Sequence, residues 1–175
     1  YILGSDSYAE VMIGRFSAES DADVITQVQR VLSYEINPPA NGSWYSQGVA
    51  VASDQGPGDY GEMDYEHAIN MRNDLMNFNY TTVSELYDGT HPGTTDAPGN
   101  PNNTDLFTLF QSGISMMVYT GHGSTTSCST TGLSNNDIQN MTNTGMLPFI
   151  WSVACVNGEF ASPSGPCFAE SFMRA

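Results

Sequence analysis

The chain has 175 residues, of which 19 are acidic and 4 basic, for a formal net charge of −15. That length suits one domain with a sizeable core, and aromatic residues recur too often for a disordered polyanion. The basic side chains (Arg15, Arg30, Arg72 and Arg174) are scattered and none is a lysine, which argues against nucleic acid as a partner. No apolar run approaches the length of a membrane span.

Residues 9–14 (AEVMIG) read as a short buried strand. Ser20, with Asp23 three positions on, makes a capping box, and Val24, Ile25, Val28, Val31 and Leu32 follow at helical spacing. Residues 48–53 (GVAVAS) read as the next strand, and residues 54–61 as a loop rich in Gly, Pro and Asp. Ala68, Met71, Leu75 and Phe78 then form one face of a helix. Residues 81–87 predict a strand with Val83, Glu85 and Tyr87 on one side. A loop of Pro, Gly, Asn and Thr covers 91–103, and a short helix follows over 105–111. Residues 114–120 (ISMMVYT) and 147–154 (LPFIWSVA) are continuous apolar strands, separated by a Gly/Ser/Thr loop and a helix around 136–141. A last helix begins near Pro166. Strands alternating with helices predict an α/β fold, a mostly parallel sheet with helices on both faces. There is no internal repeat and no interdomain linker. Opening at Tyr1 and closing inside a helix, residues 1–175 are expected to form a single unit excerpted from a longer chain.

Two of these strands end in reactive residues. One runs into Gly121-His122-Gly123-Ser124, the other into Ala154-Cys155. Open α/β sheets gather their sites at the carboxyl ends of strands, and the chain between them suffices for a loop, a helix and a returning neighbour strand. A cysteine–histidine pair is expected there. The imidazole activates the thiol and then protonates the leaving amine of an acyl transfer. The amides of Gly123 and Cys155 are placed to form an oxyanion hole, where one donor is worth about 3 kcal/mol in other acyl-transfer enzymes. Taken singly, Cys155 would be a small buried hydrophobe and His122 a turn residue. Together, at matching strand ends, they favour catalysis.

The stretches 118–124 (VYTGHGS), 147–150 (LPFI) and 153–160 (VACVNGEF) resemble the gingipain family of cysteine peptidases, as do 166–170 (PCFAE) and 13–17 (IGRFS). The resemblance runs over almost the whole chain. It implies a caspase-like fold, a secreted or cell-surface bacterial endopeptidase acting on protein or peptide substrates, and Cys155 with His122 as its catalytic dyad. It also places Asp54 where the family has an acidic residue that supports the histidine. Asp64, in Gly61-Glu62-Met63-Asp64, matches the arginine-specific members, in which that aspartate lies at the floor of the specificity pocket. A helix N-terminal charge is the simpler role for Asp64, and both can hold together. His67 and His91 have no comparable support.

No cofactor is needed for this chemistry and no catalytic metal is expected. Structural calcium, which the family binds, would find hard oxygen ligands in the acidic loop 54–62, although EF-hand spacing is absent. Pairing of Cys128 with Cys167 would leave Cys155 free and suit an extracellular location. The same dyad also serves a cell-surface sorting-signal peptidase or transpeptidase, and an inactive binding or adhesion module is the reading from a different class. The 153–158 block sits closer to the degradative members, so hydrolysis after arginine ranks first.

Overall fold

The connections between the longer predicted strands all have room for a helix, the condition for pairing strands in parallel. The computed structural model describes residues 11, 13–40, 42–58, 60–162 and 164–175. Its main sheet contains β1 (Gln47–Ala52), β2 (Thr82–Tyr87), β3 (Met116–Thr120) and, after a small hairpin of β4 (Gly123–Ser124) and β5 (Ser127–Cys128), β6 (Phe149–Val153). The order is β2-β1-β3-β6, every pair is parallel, and Ala52 aligns with both Tyr87 and Thr120 while Thr120 aligns with Val153. All four carboxyl ends therefore finish level, at one edge. The strand expected over 9–14 lies largely outside the described residues.

The helices are α1 (Asp21–Ile36), α2 (Asp64–Asn77), α3 (Asn103–Ser112), α4 (Asn135–Gln139) and α5 (Phe168–Arg174). The expected capping box starts α1: the Ser20 hydroxyl accepts from the Asp23 amide at 3.3 Å, and the Asp23 carboxylate accepts from Ser20 N–H at 3.0 Å. Asn102 with Asp105 and Ser134 with Asp137 begin α3 and α4 in the same way, which satisfies amides that no preceding turn can reach. Because strand side chains alternate, β1 serves both faces. Ala50 and Ala52 pack with Val83, Tyr87 and Ala68 of α2, while Val49 and Val51 join Met117, Tyr119, Leu106, Phe110, Ile138 and Phe168 on the other side. This is the caspase-like arrangement of a parallel sheet between helical layers.

Two apolar stripes do not go where their sequence points. Val24, Ile25, Val31 and Leu32 of α1 are exposed. That helix is docked through its polar side: Gln27 Nε2 donates to the Ser17 carbonyl at 2.7 Å, and Arg30 donates to the carbonyls of Phe172 and Met173 at 3.0 and 3.1 Å. The second is β6, whose continuous apolar run suggested a strand buried on both faces. It is the sheet's edge among the described residues, and Phe149, Trp151 and Val153 are exposed. They share the α2 face, but α2 packs chiefly over β1, β2 and β3.

Arg174 and Glu170 anchor the region before α1 onto α5. Arg174 meets Glu170 at 2.8 Å and Ser17 Oγ at 3.0 Å, and Ser17 Oγ donates to Glu170. Burial works to raise the Glu170 carboxyl, yet the hydrogen bonds from Ser17 and the Cys167 amide, with the Arg174 charge, outweigh it and hold the group below the usual glutamate value. A depressed carboxyl contributes stability above its unfolded pKa, about 4.3, and loses it as pH falls through the folded value. Glu170→Gln should therefore lower amide-exchange protection of α1 and α5 at pH 7, and the difference from wild type should shrink as pH falls below about 4.3. A difference that does not shrink on acidification would exclude Glu170 ionisation as its source.

Candidate active site

The β3 strand does not stop cleanly at Thr120. Gly121 N–H donates to the Val153 carbonyl at 3.2 Å, extending the contact with β6, and Ser53 N–H donates to the Thr120 carbonyl at 3.0 Å from the β1 side. His122 follows, exposed above this edge. Its loop is wound around one buried hydroxyl. Tyr119, fully buried, donates to the His122 carbonyl and accepts from the amides of Ser129 and Thr130 at 3.2 and 3.4 Å. The hairpin β4–β5 was not foreseen in the Gly/Ser/Thr stretch. In its ladder Ser129 N–H bonds the His122 carbonyl while Gly123 faces Cys128. Gly123 thus occupies a non-hydrogen-bonded position, which turns its N–H outward.

On the neighbouring strand, Ala154 leads into an exposed, free Cys155. Val156 has φ 53°, a left-handed conformation costly for a β-branched side chain and most often found where function demands it. The turn so formed brings the Cys155 carbonyl against the hairpin. A Cβ at position 123 would lie 2.8 Å from that oxygen and 2.6 Å from Asn157 Nδ2, so only glycine fits. The two loops are in backbone contact, as the strand order requires. Among the described residues, neither the Gly123 nor the Cys155 amide has a partner outside the strand ladders.

The acidic candidates lie at the same edge. Asp64 is the first residue of α2. Its carboxylate accepts from Ser53 Oγ, immediately after β1, and its amide donates to the Gln55 carbonyl at 2.9 Å. Asp54 is exposed, and no hydrogen bond joins it to His122 among the described residues. A residue missed by the sequence reading is Asp88, at the end of β2. Its Oδ2 accepts from Thr130 Oγ1 at 3.1 Å, which ties β2 to the histidine loop. Burial raises the Asp88 carboxyl above the ordinary aspartate range and the Asp54 charge adds to this, against the Thr130 hydrogen bond and the charges of His122 and His91. Only the aligned strand ends connect Asp88 with His122, so no local pattern announced it. His91 stacks on Tyr65 at 3.7 Å, and its Nε2 lies 2.6 Å from the Asp88 carbonyl, an acceptor that requires the proton on Nε2. His67 pairs with Glu62 at 3.1 Å, partly exposed.

One expectation meets a different geometry. Cys128 and Cys167 are both buried free thiols. Cys128 Sγ lies 3.1 Å from Thr131 Oγ1 and Cys167 sits at the N-cap of α5, so each packs locally instead of bridging. At the loop that leads into α2, two acidic side chains already have partners. Glu62 is occupied by His67 and Asn70, and Asp64 by Ser53. No group of three or more His, Cys, Asp or Glu side chains converges among the described residues.

Fold and site together define a caspase-like α/β protein with a histidine and a cysteine on the loops that leave two adjacent strand ends. The model of peptidase family C25 matches residues 1–175. Gingipain R2 and gingipain R1 of Porphyromonas gingivalis are each 43% identical to this chain over 176 residues, covering 99% of it but only 22% and 17% of their own lengths. The solved structure of the Arg-specific cysteine proteinase gingipain R superposes with a TM-score of 0.87 at 41% identity, over 99% of this chain and 38% of that one. The chain belongs to peptidase family C25.

Peptide mapping after alkylation tests the thiol arrangement. In native, unreduced protein Cys155 alone should react with iodoacetamide, since Cys128 and Cys167 are fully buried. In denaturant without reductant all three should react. Blocked Cys128 and Cys167 under denaturing conditions would establish the bridge.

Proposed function

We propose that this chain carries the catalytic dyad of a cysteine endopeptidase that hydrolyses peptide bonds after arginine. The observation that supports it best is the backbone contact between the His122 and Cys155 loops at the level ends of β3 and β6. In this reading His122 takes the Cys155 proton and the sulfur attacks the substrate carbonyl carbon. The carbonyl oxygen gains negative charge opposite the outward N–H groups of Gly123 and Cys155. Collapse of the tetrahedral species breaks the C–N bond, and His122 gives its proton to the departing amine. A thioester remains. His122 then deprotonates a water that attacks the same carbon, the C–S bond breaks, Cys155 recovers the proton from His122, and the peptide acid is released. Asp54 orients the imidazole in this scheme, with Asp88 as a second carboxylate near it. Action on protein or peptide substrates outside the cell or at the bacterial surface belongs to the same proposal. Among the described residues no helix is long and apolar enough to cross a membrane.

Arginine selectivity is assigned to Asp64. A carboxylate at a pocket floor accepts two parallel hydrogen bonds from a guanidinium, a fork that lysine lacks. Ser53 already orients one Asp64 oxygen.

Cys155→Ala in the complete protein should abolish peptidase activity at a stability cost on the order of 1 kcal/mol, because the side chain is exposed and the change small. His122→Ala should be nearly as severe, since such pairs act as a unit. Turnover retained by Cys155→Ala would reject the dyad.

Asp64→Asn should lower kcat/KM for arginyl fluorogenic peptides by orders of magnitude, since leaving a buried charge unpaired costs about 3–5 kcal/mol. Alkylation of Cys155 by a small reagent should be unchanged. Equal rates on arginyl and glutaminyl peptides with the wild-type protein would remove Asp64 from the pocket.

A further inference from the structure

Asn157, two residues beyond the cysteine, is 3% exposed and uses its whole side chain. Its Nδ2 donates to the carbonyls of Ser124 at 2.7 Å and Ser127 at 3.0 Å, and its Oδ1 accepts from Ser152 Oγ at 3.1 Å. The amide orientation is set by these partners, because two carbonyl oxygens can only accept. Its own carbonyl accepts from the Ala169 amide of α5 at 3.0 Å. One carboxamide therefore joins the end of β6, the Cys155 turn and both strands of the hairpin that follows His122, and its backbone reaches α5.

We infer that Asn157 is the positioning residue that holds Cys155 in register with His122 and the Gly123 amide, an inference that rests on the peptidase reading above. The histidine loop has its own anchor in Tyr119, on β3. The cysteine turn leaves β6 through Val156, whose left-handed backbone is not one a valine keeps unaided. The Asn157 amide is the buried side-chain link that closes the cysteine turn onto the hairpin at 124 and 127, beside an exposed contact of Thr125 with Glu159 at 3.2 Å. Gly123 completes the fit, since any side chain there would displace Asn157 Nδ2 or the Cys155 carbonyl. Few other side chains can substitute. Aspartate would set a carboxylate oxygen against two carbonyl oxygens, glutamine is one methylene too long, and leucine would leave both carbonyls without their donor.

The test compares Asn157→Asp and Ser152→Ala with wild type in the complete protein, reading kcat and KM on an arginyl peptide and the pH profile of Cys155 alkylation by iodoacetamide. For Asn157→Asp, kcat should fall on the order of 100-fold, the scale of a 1 Å misplacement at a reacting centre. KM should stay within about threefold, because substrate contacts are untouched. The alkylation profile should move to higher pH, as a thiol separated from its imidazole loses the partner of its charged form. Ser152→Ala, which removes only the donor to Oδ1, should shift both readouts the same way by less. Unchanged kcat and an unchanged profile in Asn157→Asp overturn the inference, and so does a kcat loss with an unmoved profile. Should Asn157→Asp fail to fold, Ser152→Ala decides by the same two readouts. A wild-type protein that cleaves no peptide would defeat the peptidase reading alone, while the alkylation profiles would still decide whether Asn157 couples the two loops.

Discussion

The parallel ladder between β3 and β6 is the interaction on which the site depends. Thr120 aligned with Val153 delivers His122 and Cys155 to the same level of the same edge. A slip of one residue would move one loop by about 3.3 Å and turn each β6 side chain to the opposite face. Loops alone rarely hold two reactive groups to better than that distance. The ladder sets the coarse register, and the buried polar contacts of Tyr119 and Asn157 refine it. Both are buried side chains that hydrogen-bond the backbone of the segment from His122 to Thr130.

The acidity of the chain has a structural counterpart. Each arginine is engaged within the protein: Arg72 with the buried Glu85, Arg174 with Glu170 and Glu19, Arg30 with the carbonyls closing α5, and Arg15 over the Phe160 ring at 4.4 Å. Of the remaining described carboxylates, Asp21, Glu35, Asp54, Asp74, Asp105 and Glu159 are exposed and the others half-buried. Asp54, Asp64 and Asp88 lie at the edge that carries His122, so the field there favours a cationic group over an anionic one. Repulsion among these carboxylates opposes folding, which makes the neutral hydrogen bonds from Ser53 and Thr130 to two of them more than ornament.

Strain and restraint meet in the Cys155 turn. Its left-handed Val156 leaves the thiol exposed at the apex, while Asn157 beneath it is buried and fully bonded. An exposed nucleophile on a rigid base is open to substrate without being free to wander. The buried cysteines show the opposite environment. Burial raises the thiol of Cys128 and of Cys167 above the ordinary value, keeping both protonated.

Local pattern was enough to place the helices and the main strands. The capping box at Ser20, period-two burial over Val83, Glu85 and Tyr87, and the apolar runs ending at His122 and Cys155 are written within a few residues of where they act. Each depends on short-range sterics and hydrogen bonding. Sequence also placed the pair of reactive residues on neighbouring strands, because parallel topology allows few other solutions. What tertiary structure decided was everything that needs two distant segments at once. Among the described residues β6 lies at an edge and the α1 stripe faces outward, placements that local apolarity does not encode. Asp88 meets the histidine loop only through strand alignment. Asn157 acquires its role only when Ser124, Ser127 and Ser152 converge on it. An asparagine two residues after a cysteine says nothing by itself, since a carboxamide has no meaning until the folded chain surrounds it with carbonyls.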